Sequence, residues 1–261
     1  MILLSRVASF LGLARSFLIY WRPGRQKGLR DFYSTLLSPG DLVFDVGSHL
    51  GDRSLAFASI GAKVISIEPQ PLVNLWLRKL VGDHDGIIIR QEAVGSCSGT
   101  GDLSISDWTP TVSTVAGSWK ERIVEANPTF SKVRWNREVA VDFVSLDDLI
   151  FLYGTPAYCK IDTEGFEVEV LRGLSCSIGL VSFEFIYGDL EATISCIELL
   201  ESLDDYEFNI AIGENRHFEF REWINKTILI DHLSTDKSSS GDLYARVVRE
   251  VSKNRIVNNH G

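Results

Sequence analysis

The stretch Asp45-Val46-Gly47-Ser48-His49-Leu50-Gly51 sets an acid, two glycines and a histidine between an apolar run and an amphipathic segment. Glycine lets a backbone pass close to a ligand, and the N–H groups of an opening helix, here Ser48 to Asp52, are free to point at it. Glu68 closes the next apolar run 23 residues after Asp45, a separation that suits hydrogen bonds from both hydroxyls of a ribose. A nucleoside-bearing cofactor fits this pattern. The form D-x-G-x-x-x-G lacks the tight glycine pair that clears room for a pyrophosphate. Asp45 also suits a cationic amino-acid ligand better than a diphosphate. S-adenosyl-L-methionine is therefore preferred to a nicotinamide dinucleotide.

A second charged cluster is Lys160-Ile161-Asp162-Thr163-Glu164-Gly165-Phe166-Glu167. Lys160 and Asp162 straddle the end of an apolar run, and Glu184 closes another within Ser182-Phe183-Glu184-Phe185. Charges there are costly unless paired, solvated or bound to something. Asp162, Glu164 and Glu184 are expected to converge near the methyl donor, with Asp162 across the cleft from Gly47. Two chemistries follow. One carboxylate accepts the proton of an attacking hydroxyl, or Asp162 and Glu184 hold Mg²⁺ or another divalent cation that acidifies it. His49 is either a base or ligand contact, or a solvent-facing helix-start residue. The plainer reading makes Glu164 and Glu167 acids serving a helix dipole, with Asp162 as its cap.

These residues need a parallel sheet edge to bring them together. Leu42 to Gln70 reads as one βαβ unit, with strands at Leu42–Asp45 and Lys63–Ile67 around a helix from about Gly51 to Ser59. A helix begins near Pro69 and Pro71 and a third strand spans Ile87–Arg90. That strand's extension, Gln91 to Val94, is a candidate adenine lining through Glu92 and Ala93. Ala157–Ile161, Ile178–Phe185, Tyr206–Ile212, Thr227–His232 and Leu243–Val248 read as further strands, with helices at Glu167–Leu174 and Ile194–Leu203. The fold class is α/β, a Rossmann-like doubly wound sheet, mostly parallel with an antiparallel C-terminal strand.

The domain reading is an N-terminal helical extension over 1–38, a catalytic domain over 39–250 with an insertion at about 95–139, and a flexible tail over 251–261. Within the insertion, Gly99–Ser106 suggests an edge strand and Ser118–Ala126 a short helix. Trp108, Trp119, Lys120, Arg122 and Trp135 are candidates for a lid. Val139–Leu146 alternates as a half-exposed strand, and Asp147 starts a short helix or turn.

The net charge of −9 hides an asymmetry, since residues 1–30 hold six basic residues and no acid. The remaining chain carries 20 basic against 35 acidic residues, which disfavours binding to a nucleic-acid backbone. Lys120, Arg122, Lys132, Arg134 and Arg137 keep a macromolecular acceptor such as RNA as the alternative. Met1 to Trp21 recurs at helical spacing, but Arg6 and Arg15 interrupt it, so a spanning helix is not expected. Residues 1–22 suit packing on the domain, self-association or peripheral membrane contact. Cys97, Cys159, Cys176 and Cys196 show no metal-ligand spacing and read as buried thiols in a reducing, cytoplasmic setting.

With these residues in view, the chain resembles the FkbM family of S-adenosylmethionine-dependent methyltransferases. VFDVGSHLGDRSLAFASIGAKVISIEP is similar to that family's cofactor motif, and VDFVSLDDLI followed by YCKIDTEGFEVEVLRGL to its second signature. LVSFEF and GDLYAR resemble its later strands, and the likeness covers roughly Asp31 to Arg246. It implies Asp45, Gly47 and Gly51 at the methionine end of the cofactor, Glu68 at the ribose, and Asp162 and Glu164 facing the active centre. Ser48, His49 and Pro69 fall inside the matched stretch and join the expected cofactor contacts. The implied activity is O-methylation (EC 2.1.1), with a hydroxyl of a saccharide, glycolipid or related small molecule as acceptor. His49 and the Trp-rich 107–136 segment depart from the family pattern, so the acceptor does not carry over from relatives.

Overall fold

In the computed structural model, residues 2–106, 114, 133, 135, 137–186, 189–235 and 240–248 are described, with side chains from residue 11 onward. Helices α1 (Ile2–Tyr20) and α2 (Arg25–Tyr33) lead into β1 (Leu42–Val46), α3 (Asp52–Ile60), β2 (Lys63–Ile67), α4 (Pro71–Val81) and β3 (Ile87–Arg90). Then come β4 (Ala93–Val94), β5 (Gly99–Ile105), β6 (Arg137–Val144), α5 (Leu146–Tyr153), β7 (Tyr158–Ile161), α6 (Glu167–Arg172) and β8 (Leu180–Phe185). Last are α7 (Leu190–Glu201), β9 (Tyr206–Ile212), α8 (Lys226–Thr235) and β10 (Gly241–Val247).

Seven strands form one sheet in the order β3-β2-β1-β7-β8-β10-β9. The first five run parallel, and β10 inserts antiparallel between β8 and β9. This is the doubly wound, Rossmann-like class I methyltransferase architecture expected from the sequence. The order reverses beside β1, where β2 lies on one side and β7 on the other. Ligands of open α/β sheets sit at the carboxyl ends of the strands flanking such a switch. Phe44, Val46, Ile161 and Phe183 are buried on one face of the sheet and Val43, Val64 and Tyr158 on the other, the two-sided cover that a parallel sheet needs. One cross-sheet row is polar instead, as Ser66, Asp45, Lys160 and Ser182 are in register and buried.

Three sequence expectations change, the first being that Cys97 and Cys176 are exposed and only Cys159 and Cys196 are buried thiols. Thr227 to His232 lies in helix α8 instead of a strand. Asn225 Oδ1 accepts the Ile228 N–H at 3.1 Å, and Leu229 and Leu233, four apart, share the buried side. That is helical capping and spacing, which the short run Ile228-Leu229-Ile230 concealed. Gln91 to Val94 does not extend β3. The Asn74 amide donates to the carbonyls of Glu68 and Arg90, both at 2.9 Å, and past Arg90 the chain leaves for a second sheet of order β4-β6-β5. The Gly99 strand is the edge strand expected, at the border of that small sheet and antiparallel to β6. The expected helix at Ser118–Ala126 and the lid residues Trp108, Trp119, Lys120 and Arg122 lie outside the described residues, and Trp135 is half-buried.

Candidate functional site

The β1–α3 turn is shaped by left-handed backbone. Gly47, His49 and Gly51 have φ of 77°, 48° and 79°, a conformation that costs a non-glycine residue about 1–3 kcal/mol. Gly47 also touches the next strand, where a Cβ would lie 1.8 Å from the Asp162 carbonyl oxygen. The turn folds back on β2 and on itself. The N–H groups of Gly47 and Ser48 both donate to the Ile67 carbonyl, and that of Gly51 donates to Ser48. His49 N–H donates to Glu68 Oε2 at 3.0 Å. The expected row of free N–H donors from Ser48 to Asp52 is thus largely consumed within the turn.

Glu68 is buried, and its other oxygen accepts the Gln70 N–H at 2.8 Å. Burial pushes its carboxyl up to about 7, and the two backbone donors hold it below where burial alone would put it. Asp45 is also buried and accepts the Ser54 hydroxyl. Burial raises its carboxyl, against the pull of Lys160 and Ser54.

These residues border one cleft of about 840 Å³ of non-atom space, its open mouth included. Its walls bring together Asp45, Gly47, Ser48, His49, Glu68, Pro69, Glu92, Ala93, Asp162 and Glu164. Gly51 is not on its wall; its φ sets the turn. Glu184 lines a neighbouring, smaller cavity with Glu167, Asp189 and Thr193. Glu92 is engaged by Arg90, whose Nε donates at 2.9 Å, so it meets an adenine only as an ion-paired carboxylate.

Lys160 Nζ donates to Asp162 Oδ2 at 2.7 Å. Burial pushes the Asp162 carboxyl up, but Lys160 and Arg53 outweigh it and hold it below the usual range. Glu164 sits in left-handed backbone with φ 53°. Burial, then the Glu184 and Asp162 charges, raise its carboxyl, and burial with Asp162 does the same to Glu184. The Oε2 atom of Glu184 is buried without a hydrogen-bond partner. One oxygen from each of Asp162, Glu164 and Glu184 lies within 4.8 Å of the others, an arrangement able to hold a cation.

The helix-cap reading fits Glu167 alone. Its Oε1 accepts the N–H and hydroxyl of Thr163 at 2.9 and 3.0 Å and the Gly165 N–H at 3.3 Å, pinning the loop that carries Glu164. Asp162 caps nothing, because Phe166 takes the cap position. His49 is no solvent-facing residue. Burial lowers its imidazole to about 4, and its Nε2 atom is buried without a partner.

Two wall residues escaped the sequence reading. Tyr20, at the end of α1, lays its ring edge against His49 at 5.4 Å, and the Arg25 guanidinium covers it at 5.0 Å. Arg25 in turn donates to Asp52 at 2.6 Å and to Glu214 at 2.8 Å, latching the helical extension to the cofactor turn. Arg53, the residue after Asp52, also faces the cleft. Its signal was a cation directly behind the glycine turn. Tyr20 had none, since a lone tyrosine closing a helix is ordinary.

Ser48 Oγ, His49 Nε2 and Arg53 Nε are buried polar atoms without partners around this cleft. Native proteins rarely leave such atoms unpaired, so the lining suits a polar ligand such as S-adenosylmethionine. Over residues 45–226 the chain matches the family described as the methyltransferase FkbM domain. It is 25% identical over 225 residues to the hexuronic acid methyltransferase AglP of Haloferax volcanii, covering 82% of this chain and 86% of that protein. Among solved structures it is similar to precorrin-6y C5,15-methyltransferase from Geobacter metallireducens (12% identity, TM-score 0.45, 86% of this chain and 87% of that one). It is also similar to an O-methyltransferase from Bacillus cereus (9% identity, TM-score 0.44, 91% and 90%). The family match spans well over half of the chain, its glycine turn and both acidic segments included, and so the protein belongs to the FkbM methyltransferases, enzymes that use S-adenosylmethionine.

Proposed function

We propose that the acceptor is a hydroxyl of a saccharide, glycolipid or related small molecule, activated at the Asp162–Glu164–Glu184 cluster. The observation that carries this reading is the meeting of the three carboxylates within 4.8 Å beside the cofactor turn. The relative named for hexuronic acid supports a sugar-like acceptor. When bound, S-adenosylmethionine supplies a sulfonium methyl to which the acceptor oxygen bonds as the C–S bond breaks and the hydroxyl proton leaves. Glu164 takes that proton, since a carboxylate with a raised pKa is the stronger base. Asp162, neutralised by Lys160, stays ionised and orients the acceptor or the cationic end of the cofactor. His49 is neutral at physiological pH and offers Nε2 as a hydrogen-bonding atom, a weak base at best. Glu68 receives the ribose hydroxyls on the lone pairs its backbone donors leave, with Pro69, Glu92 and Ala93 beside the base.

A second mode has one observation in its favour, the cation-sized spacing of the cluster. Mg²⁺ held by Asp162 and Glu184, with Glu164 adjacent, would polarise the hydroxyl in place of a side-chain base. Labelled S-adenosylmethionine, offered with hexuronic acids, neutral hexoses and RNA, tests the acceptor. Label in a sugar methyl ether supports the reading, and label in RNA alone sinks it. Activity lost to EDTA and restored by Mg²⁺ selects the cation mode, and indifference to EDTA selects Glu164.

An RNA acceptor rests on a basic cluster of which only Arg137 is described, as an exposed residue. Peripheral contact or self-association through residues 1–22 is supported by the exposure of Leu11, Phe17, Leu18 and Ile19 on α1. No helix among the described residues is long and apolar enough to cross a membrane.

A further inference from the structure

The cleft is rich in acids and poor in cations. Asp45, Asp52, Glu68, Glu92, Asp162 and Glu164 line it, whereas its lysine and arginine are Lys160 and Arg53. The cofactor carries a sulfonium and an ammonium, which such a lining welcomes, and a carboxylate, which it repels. That carboxylate needs a cation with donors to spare. Lys160 has given its short contact to Asp162 at 2.7 Å. Arg53 has not. Among the described residues its ion pair is with Asp242, at a loose 3.9 Å from one terminal nitrogen, and its Nε is buried with no partner. The side chain is only 16% exposed, so water is a poor substitute. Arg53 also projects from the first turn of α3, which follows the glycine turn directly. A guanidinium there meets the amino-acid end of a cofactor whose ribose is on Glu68.

We propose that Arg53 is the carboxylate clamp for the methionine end of S-adenosylmethionine, its Nε and a terminal N–H gripping the two carboxylate oxygens. Asp242 holds the guanidinium in place when the clamp is open. This proposal rests on the cofactor reading of the cleft.

Calorimetry with S-adenosylhomocysteine and its decarboxylated analogue tests it without catalysis. Wild type should prefer S-adenosylhomocysteine by about ten- to hundredfold, the value of charge-assisted hydrogen bonds to a buried carboxylate. Arg53→Gln should abolish that preference while binding the decarboxylated analogue within about twofold of wild type, as expected when only the deleted bond differs. Arg53→Lys, which keeps the charge without the fork, should be intermediate, and it provides the comparison if the glutamine variant does not fold. Equal weakening of both ligands would make Arg53 a structural residue and overturn the proposal. An undiminished preference would also overturn it, as would loss of binding to free glucuronate alone, which would give the guanidinium to the acceptor. Failure of wild type to bind either nucleoside would remove the cofactor reading itself.

Discussion

Burial raises the carboxyls of Glu68, Glu164 and Glu184, whereas Lys160 and Arg53 outweigh it at Asp162, and the consequences have definite signs. Glu68 titrates near 7 in the folded protein against an ordinary value of 4.5. The folded state then holds the extra proton between those limits, so stability falls as pH rises through that window. A rise of that size corresponds to about 3–4 kcal/mol at most. Glu68→Gln should flatten that part of a melting-temperature profile recorded without cofactor, and a slope unchanged from wild type would assign it to other groups. The raised pKa of Glu164 works the same way on rate. Methyl transfer should climb with pH through an apparent pKa above the usual carboxylate range, and Glu164→Gln should lose that limb together with most of kcat. Gly47 is the strictest position of the turn, because a Cβ would meet the Asp162 carbonyl at 1.8 Å on left-handed backbone. Gly47→Ala should cost about 3 kcal/mol or more, read as a drop in melting temperature.

Elements carry those residues with uneven transparency to sequence. The helix α5 is legible at its start, since Ser145 accepts the Asp148 N–H at 3.0 Å and Asp148 answers at the Ser145 N–H at 2.9 Å. Ser145→Ala should cost about 1 kcal/mol by urea unfolding with activity retained. The βαβ unit was equally plain, its apolar period, glycines and acid all agreeing. Thr227 to His232 was not, because Ile228-Leu229-Ile230 suits a strand as well as a helix, and only the Asn225 cap and the burial of Leu229 and Leu233 decide. The pairing of Ala93 with Phe143 was invisible for a different reason. It joins strands far apart in the sequence, and no local period reports a distant partner. Within the cleft, acids announced themselves through their motif, whereas Tyr20 arrives from a helix outside it. Leu13, buried with Leu50 and Val73, docks that helix. Leu13→Ala should cost about 2–4 kcal/mol, and it should weaken S-adenosylhomocysteine binding as Tyr20 loosens.

At the scale of the whole molecule, charge and surface divide the labour. Six of the 26 basic residues fall within the first 30 positions, and the body is strongly acidic. Methylation of a neutral saccharide should therefore change by less than about twofold between 50 and 500 mM salt, where binding to a nucleic-acid backbone would collapse. The exposed apolar side chains of α1 lie on that basic segment, beside Arg15 and Arg22. Co-sedimentation of the full chain with anionic vesicles, reduced by Leu18→Glu, would assign that face to lipid. A concentration-dependent molar mass in light scattering would assign it to a second copy.

The place of β10 between β8 and β9 has a consequence for how the protein is made. On the ribosome β9 emerges before β10, the strand that separates it from β8 in the finished sheet. Until β10 arrives, β8 and β9 each present an unpaired border, the kind that recruits foreign strands. The residues matched to the family stop at 226, so a chain trimmed to that match would be frozen at this vulnerable stage. Trimmed at both ends of the match, it would lose Tyr20 from the cleft and the keystone of the sheet together.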